Sequence, residues 1–153
     1  MKKYTNVALG GTFDIIHKGH MELLKKAFEI STHVIIGLVG DQMAQQNGKS
    51  PKLYEKRYDN LVDIITETWS DISYDISMLK DTFGPTVLNG DVQALIVSGE
   101  TRSVGDQLNN LRQQRGLSKV EIITVPMVLA DDGKRISTSR IHDLEIDESG
   151  HIL

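Results

Sequence analysis

Two histidines three residues apart carry the sharpest chemistry in this sequence. His17 and His20 end the run Gly10-Gly11-Thr12-Phe13-Asp14-Ile15-Ile16-His17-Lys18-Gly19-His20. An imidazole donates hydrogen bonds to phosphate oxygens whether neutral or protonated. Glycines let the backbone approach an anion closely, and the N–H groups and dipole of a helix N-terminus stabilise its charge. The run therefore reads as a phosphate cradle. Two plainer readings compete with it. In one, an imidazole caps a helix and the other faces solvent. In the other, the pair binds zinc. The chain has no cysteine, and neither Asp14 nor Glu22 sits at an obvious third-ligand spacing, so zinc ranks low.

The cradle needs a strand before it and a helix after it, and the sequence supplies both. Val7-Ala8-Leu9 is an apolar run, and Met21, Leu24, Ala27 and Phe28 recur on one helical face. Apolar runs and helical patterns then alternate along the chain. Strands are predicted over residues 4–9, 32–39, 72–79, 94–97 and 120–125. Helices are predicted over 18–30, 41–45, 54–69 and 104–115, with a short one at 86–88. Such alternation gives a parallel sheet with helices on both faces, because each crossover is right-handed. Ligands of these sheets bind at the carboxyl ends of the strands. That rule gathers residues 10–12, 40 onward, 79–86, 98–101 and 126–140, where the glycine-rich and hydroxyl-rich stretches lie.

A second stretch with chemistry is Ile136-Ser137-Thr138-Ser139-Arg140. Ser and Thr are preferred N-caps, so a short helix is expected to start within it. Hydroxyls and N–H groups at such a start suit phosphate oxygens, and Arg140 adds a fixed positive fork. A plain cap with a solvent-facing Arg is the competing reading. Lys49 and Lys52 stand in the loop after the second strand, where one of them can reach a phosphate as a point charge.

Composition limits the rest. The 153 residues suffice for one domain, placed at 1–153, with no repeat or linker. There are 17 Lys and Arg against 21 Asp and Glu, so no basic excess exists to grip a nucleic-acid backbone. No stretch approaches the ~18 apolar residues of a membrane span. The N-terminal residues lack an apolar signal region, so a cytoplasmic protein is expected.

G-G-T-F-D-x-x-H-x-G-H resembles the signature of the nucleotidyltransferase superfamily, whose members activate a substrate with a nucleoside triphosphate and release pyrophosphate. Residues 136–140 are similar to its second signature, although here Arg140 follows the hydroxyls directly. Tyr54-Glu55-Lys56-Arg57 looks like the family's helix start, which a substrate-binding lysine precedes by several residues; this favours Lys49, with Lys52 as the rival. Residues 81–86, 97–101, 111–117, 128–134 and 145–150 together resemble the archaeal-type phosphopantetheine adenylyltransferases.

The resemblance implies a Rossmann-like, doubly wound, five-stranded parallel sheet of nucleotidyltransferase type. It implies transfer of AMP from ATP to 4′-phosphopantetheine, with Mg2+ bridging phosphates and no dedicated protein metal site. His20, His17 and Lys49 would be catalytic. ATP would lie against Gly10, Gly11, Thr12, Phe13, His17 and His20, against Gly99, Glu100 and Thr101, and against Gly133, Ile136, Ser137, Thr138, Ser139 and Arg140. Thr12, Lys49, Asp81 and Phe83 would hold the acceptor. Bacterial enzymes of this activity carry Thr where His17 stands and arginines around Ser98 and Thr101. Positive charge would therefore come from Arg102, Arg135 or Arg140. An oligomer is compatible with the sequence. The rival readings are a glycerol-phosphate cytidylyltransferase, an FMN adenylyltransferase, or a nucleotide-binding regulator without turnover.

Overall fold

The computed structural model describes residues 2–48, 51–84, 90–99, 102–137, 140–141 and 144–153. Five strands, β1 (Tyr4–Gly11), β2 (Ser31–Val39), β3 (Tyr74–Leu79), β4 (Ala94–Ser98) and β5 (Glu121–Val125), form one sheet in the order β3-β2-β1-β4-β5. Every neighbouring pair is parallel. Among the described residues, four helices, α1 (Lys18–Ile30), α2 (Asp41–Gln46), α3 (Tyr54–Thr68) and α4 (Arg102–Gln114), connect them. The chain runs outward from β1 to β3 and returns to β4 on the other side. A crevice between outgoing crossovers therefore opens at the carboxyl ends of β1 and β4.

The central strands β1, β2 and β4 are buried on both faces, which explains their continuous apolar runs. On one face Val7 and Leu9 of β1, Ile36 of β2 and Ile96 of β4 pack with Leu24 and Phe28 of α1 and Leu61 and Ile65 of α3. On the other, Ala8, Leu95 and Val97 pack with Leu108 of α4. The doubly wound arrangement follows from this two-sided burial. The strand and helix pattern agrees with the sequence reading to within about two residues at each end. The third strand starts at Tyr74 rather than 72, after Asp71 turns with φ 54. The expected helix at 86–88 lies outside the described residues.

Beyond β5 the chain builds a smaller unit. An antiparallel bridge pairs Leu129 with Arg135, and a second pairs Ile146 with Ile152. Ala130, Ile136 and Ile146 form its apolar centre, separate from the two sheet-face clusters.

The loops at the carboxyl edge are tied to one side chain. Arg57, in the first turns of α3, is fully buried. Its Nε donates to the Lys52 carbonyl at 2.7 Å. Its Nη1 donates to the carbonyls of Thr12 at 3.0 Å and Val39 at 2.6 Å. Its Nη2 meets the Asp41 carboxylate at 2.9 Å. The same carboxylate oxygen accepts the Tyr54 N–H at 3.0 Å and so caps α3 from outside the helix. One guanidinium thus fastens the ends of β1 and β2, the start of α2 and the loop before α3. Removing Arg57 leaves three carbonyls without their donor, at about 1–3 kcal/mol for each buried group left unsatisfied, while the half-exposed Asp41 carboxylate can turn to water. Arg57→Met is therefore expected to lower the unfolding free energy in urea by about 3 kcal/mol or more. A loss under about 1 kcal/mol would contradict this role.

Candidate active site

The first helix starts with a reciprocal cap made from two imidazoles. His17 is the N-cap of α1, in an extended conformation with φ −118° and ψ 179°. Its Nδ1 accepts the N–H of Gly19 at 3.1 Å. His20, three residues on, returns the contact: its Nδ1 accepts the backbone N–H of His17 at 3.2 Å. This is a capping box in which histidines take the places of Ser/Thr and Glu/Gln. The rings stack with centroids 3.9 Å apart. The capping reading and the phosphate reading therefore describe one arrangement.

The cap decides the chemistry of the rings. With Nδ1 of each committed as an acceptor, each neutral ring carries its proton on Nε2. Both rings are held neutral. Burial pushes His17 down to about 4, helped by the nearby charge of Arg135. Burial pushes His20 down to about 3, helped by His17 and opposed by the Ile15 backbone. Phe13 supports the pair from below: it is buried, and its ring lies 4.8 Å from that of His20. Its φ of 50° places it in the left-handed region, a strained conformation typical of functional turns.

One expectation is corrected here and one extended. The free N–H groups expected at the start of α1 are largely used by the protein. Lys18 N–H donates to the Glu148 carbonyl at 3.0 Å, and Gly19 N–H goes to His17. The imidazole rings, rather than those backbone donors, stand at the helix start. Gly19 also does more than let the backbone approach an anion. A Cβ there would lie 2.9 Å from the His17 ring, so the glycine makes room for the cap.

The remaining expected residues divide into exposed and internal ones. Gly10, Gly11 and Thr12 lie at the end of β1 beside this cap, and Thr12 is partly exposed. Ser137 caps the turn that begins the second motif, its Oγ accepting the Arg140 N–H at 3.2 Å. Ile136 is buried with Ala130 and Ile146, and so supports that motif from inside. The Arg140 fork is committed within the protein. It pairs with both oxygens of Asp132, meets Glu145 at 3.4 Å and donates to the Arg135 carbonyl at 2.9 Å. Gly133, with φ 80°, forms the turn that brings Asp132 to it. Gly99 is exposed at the end of β4, near Met127. Asp81 is exposed after β3, while Phe83 packs against the Leu95–Leu108 cluster. Lys49, Glu100, Thr101, Thr138 and Ser139 lie outside the described residues.

Sequence reasoning underweighted three groups. Lys52 is held by both of its main-chain polar groups: its N–H donates to Asp14 Oδ1 at 2.9 Å, and its carbonyl accepts from Arg57. Its ammonium donates to the Asp14 carbonyl at 3.3 Å, which sets a cation against the first motif. Asp14 is buried and is the reason that loop docks. Arg135 is exposed and within electrostatic reach of His17. Asp14 stood inside the motif and Lys52 was the weighed alternative; the nearness of Arg135 to His17 is a product of folding alone.

The model of the cytidylyltransferase-like family matches residues 8–143. The chain therefore belongs to the cytidylyltransferase-like family of nucleotidyltransferases. The phosphopantetheine adenylyltransferase of Methanothermobacter thermautotrophicus is 41% identical over 152 residues, spanning 99% of this chain and 92% of that protein. The enzyme of the same name from Methanosarcina acetivorans is 42% identical, spanning 94% of this chain and 93% of its own length. Among solved structures, a protein of unknown function from Archaeoglobus fulgidus superposes with TM-score 0.72 at 29% identity, covering 82% of this chain and 89% of its own. A pantoate-beta-alanine ligase from Francisella tularensis shares the fold, with TM-score 0.56 at 15% identity over 94% of this chain and 67% of that one.

The depressed imidazoles make stability depend on pH in a defined direction. An unfolded histidine takes its proton near 6.5, whereas the folded rings resist until about 4 and about 3. Stability is therefore level above pH 6.5 and falls as pH drops from there toward 4, because the unfolded chain binds more protons. His20→Gln keeps an acceptor for the His17 N–H and removes one titrating ring. Urea unfolding between pH 7 and 4.5 is expected to show a shallower fall for this variant, and an unchanged fall would contradict the neutral cap.

Proposed function

We infer that this enzyme is a phosphopantetheine adenylyltransferase of coenzyme A biosynthesis. It transfers AMP from ATP to 4′-phosphopantetheine, giving dephospho-coenzyme A and pyrophosphate. The observation that carries the reading is the pair of neutral imidazoles at the start of α1 in a chain matched end to end by enzymes of that name. Neutral Nε2–H donors suit a site that must hold two anions and let one leave.

In the proposed reaction an oxygen of the acceptor phosphate attacks the α-phosphorus of ATP in line. The bond to the bridging oxygen breaks, and its electron pair leaves with pyrophosphate. Catalysis is then mostly positioning and stabilisation of charge on the phosphorus in transit. We assign His20 to the α-phosphate in the transition state, His17 to the triphosphate, and Thr12 to the incoming phosphate. Lys52, fixed against Asp14, is proposed to meet the acceptor phosphate; Lys49 stays its rival from the same loop. Ser137 is proposed at the β- and γ-phosphates with Arg135, whose charge reaches His17, as their cation. Gly99 is proposed to face the nucleoside, and Asp81 the pantetheine arm.

Among the described residues no group of three or more His, Asp and Glu side chains could hold a metal. Mg2+ enters this proposal as part of the MgATP substrate. No described helix is long and apolar enough to cross a membrane. A cytoplasmic setting, where both substrates occur, is part of this proposal.

The test is pyrophosphate release from MgATP or MgCTP offered with 4′-phosphopantetheine, FMN or glycerol 3-phosphate. Release with MgATP and 4′-phosphopantetheine alone is expected. Another productive pair would overturn the substrate assignment. His20→Ala is expected to lower kcat by roughly 10²–10³, the scale of one oxyanion-type donor. A fall of less than about threefold would remove His20 from the chemistry.

A further inference from the structure

The last nine residues touch both halves of the proposed phosphate site, 145–148 and 150 from two directions. Ile146 and Ile152 bridge as an antiparallel hairpin, closed by Asp147, whose Oδ1 accepts the N–H groups of Ser149 and His151 at 2.9 Å each. From this hairpin the Glu148 carbonyl accepts the N–H of Lys18, the residue beside His17 in the capping box, at 3.0 Å. Two residues on, the Gly150 carbonyl accepts the N–H of Asp131 at 2.8 Å, in the loop that carries Arg135 and leads to Ser137. Ile146 is fully buried against Ala130 and Ile136 of that same loop. Gly150 is the close-contact point. A Cβ on it would lie 2.7 Å from Ile136 Cδ1 and 2.9 Å from the Ala130 backbone, and its φ is 86°.

We propose that this C-terminal hairpin is a positioning element for the nucleotide: it binds the start of α1 to the Ala130–Ser137 loop, and thereby sets Arg135 and Ser137 against His17. It acts through those residues and touches no substrate. Two features of the fold argue for it. The sheet leaves these two segments on separate elements, β1–α1 and the chain beyond β5, with no pairing between them. The hairpin's apolar centre is separate from both sheet-face clusters, so the sheet does not need it for its own core. The inference rests on the reading of this crevice as the ATP site, and not on which acceptor is used.

Lys18 offers a clean variant. It is the first helical residue of α1, where proline is favoured, and His17 before it already has the extended backbone that a following proline requires. Lys18→Pro therefore deletes the N–H that meets Glu148 and leaves the helix intact. Lys18→Ala removes the same side chain and keeps the N–H. Gly150→Val attacks the hairpin from its other end. Binding of MgATP to each whole protein is measured by titration calorimetry without acceptor, together with thermal unfolding.

Lys18→Ala is expected to bind within about twofold of the parent, and Lys18→Pro about fivefold more weakly, the scale of one hydrogen bond. Gly150→Val is expected to weaken binding about tenfold or more. In turnover, KM for ATP should rise while KM for the acceptor stays within about twofold. A purely structural loss would instead lower the binding stoichiometry and kcat and leave affinity alone, and that outcome overturns the proposal. Equal affinity of Lys18→Pro and Lys18→Ala overturns it too, and decides the matter even if Gly150→Val fails to fold. If the parent binds MgATP and releases no pyrophosphate with 4′-phosphopantetheine, the reaction assignment falls, while the calorimetric comparison still reads the hairpin.

Discussion

A buried guanidinium holds the carboxyl edge of this sheet in one shape. Parallel strands end in loops that have no ladder to define them, so something else must fix where they go. Arg57 does so by offering its rigid fork of donors to three carbonyls and one carboxylate drawn from four different segments. Lysine, a point charge on a flexible stem, could not satisfy that geometry. The Thr12 carbonyl fixes the end of the first motif. The Lys52 carbonyl, together with the bond from the Lys52 N–H to Asp14, fixes the cation-bearing loop against it. The site is therefore preorganised from beneath, by a residue that meets no ligand.

On that platform the two histidines solve two problems with the same atoms. A helix beginning at a binding site has unsatisfied N–H groups, and a phosphate site needs donors that do not trap their ligand. Folding each Nδ1 back onto a backbone N–H answers the first and, in the function proposed, leaves the opposite ring nitrogen for the second. Burial keeps the rings neutral, so in the function proposed anions would be met by dipoles at the helix start, with cations supplied from other elements. The arrangement depends on Gly19, since any side chain there would meet the His17 ring.

Much of this was legible in the sequence, and the reasons differ by element. β2 and β4 are continuous β-branched and apolar runs because both their faces are covered, and α1 shows its buried stripe in Leu24, Ala27 and Phe28. Periodicity carries that information directly. The two motifs were visible because their residue types are unusual at their spacing. What each residue does within them was less visible. Phe13 and Ile136 stand in the motifs yet are buried supports, and Arg140 is an internal fork whose partner, Asp132, lies across a turn. Such assignments depend on which long side chain folds inward, and that is set by tertiary packing. Arg57 shows the limit from the other side: a charged residue near a helix start reads as solvated, yet it is the largest fully buried side chain among the described residues.

The central claim is that the cap fixes two neutral imidazoles with their protons on Nε2, turned to phosphate. It is tested most directly by long-range 1H–15N correlation spectra of the histidine rings at pH 7, recorded before and after MgATP. Both rings are predicted to show the neutral Nε2–H pattern in the free protein, with MgATP shifting Nε2 far more than Nδ1. An Nδ1–H tautomer, a protonated ring at pH 7, or rings unmoved by bound MgATP would contradict the account.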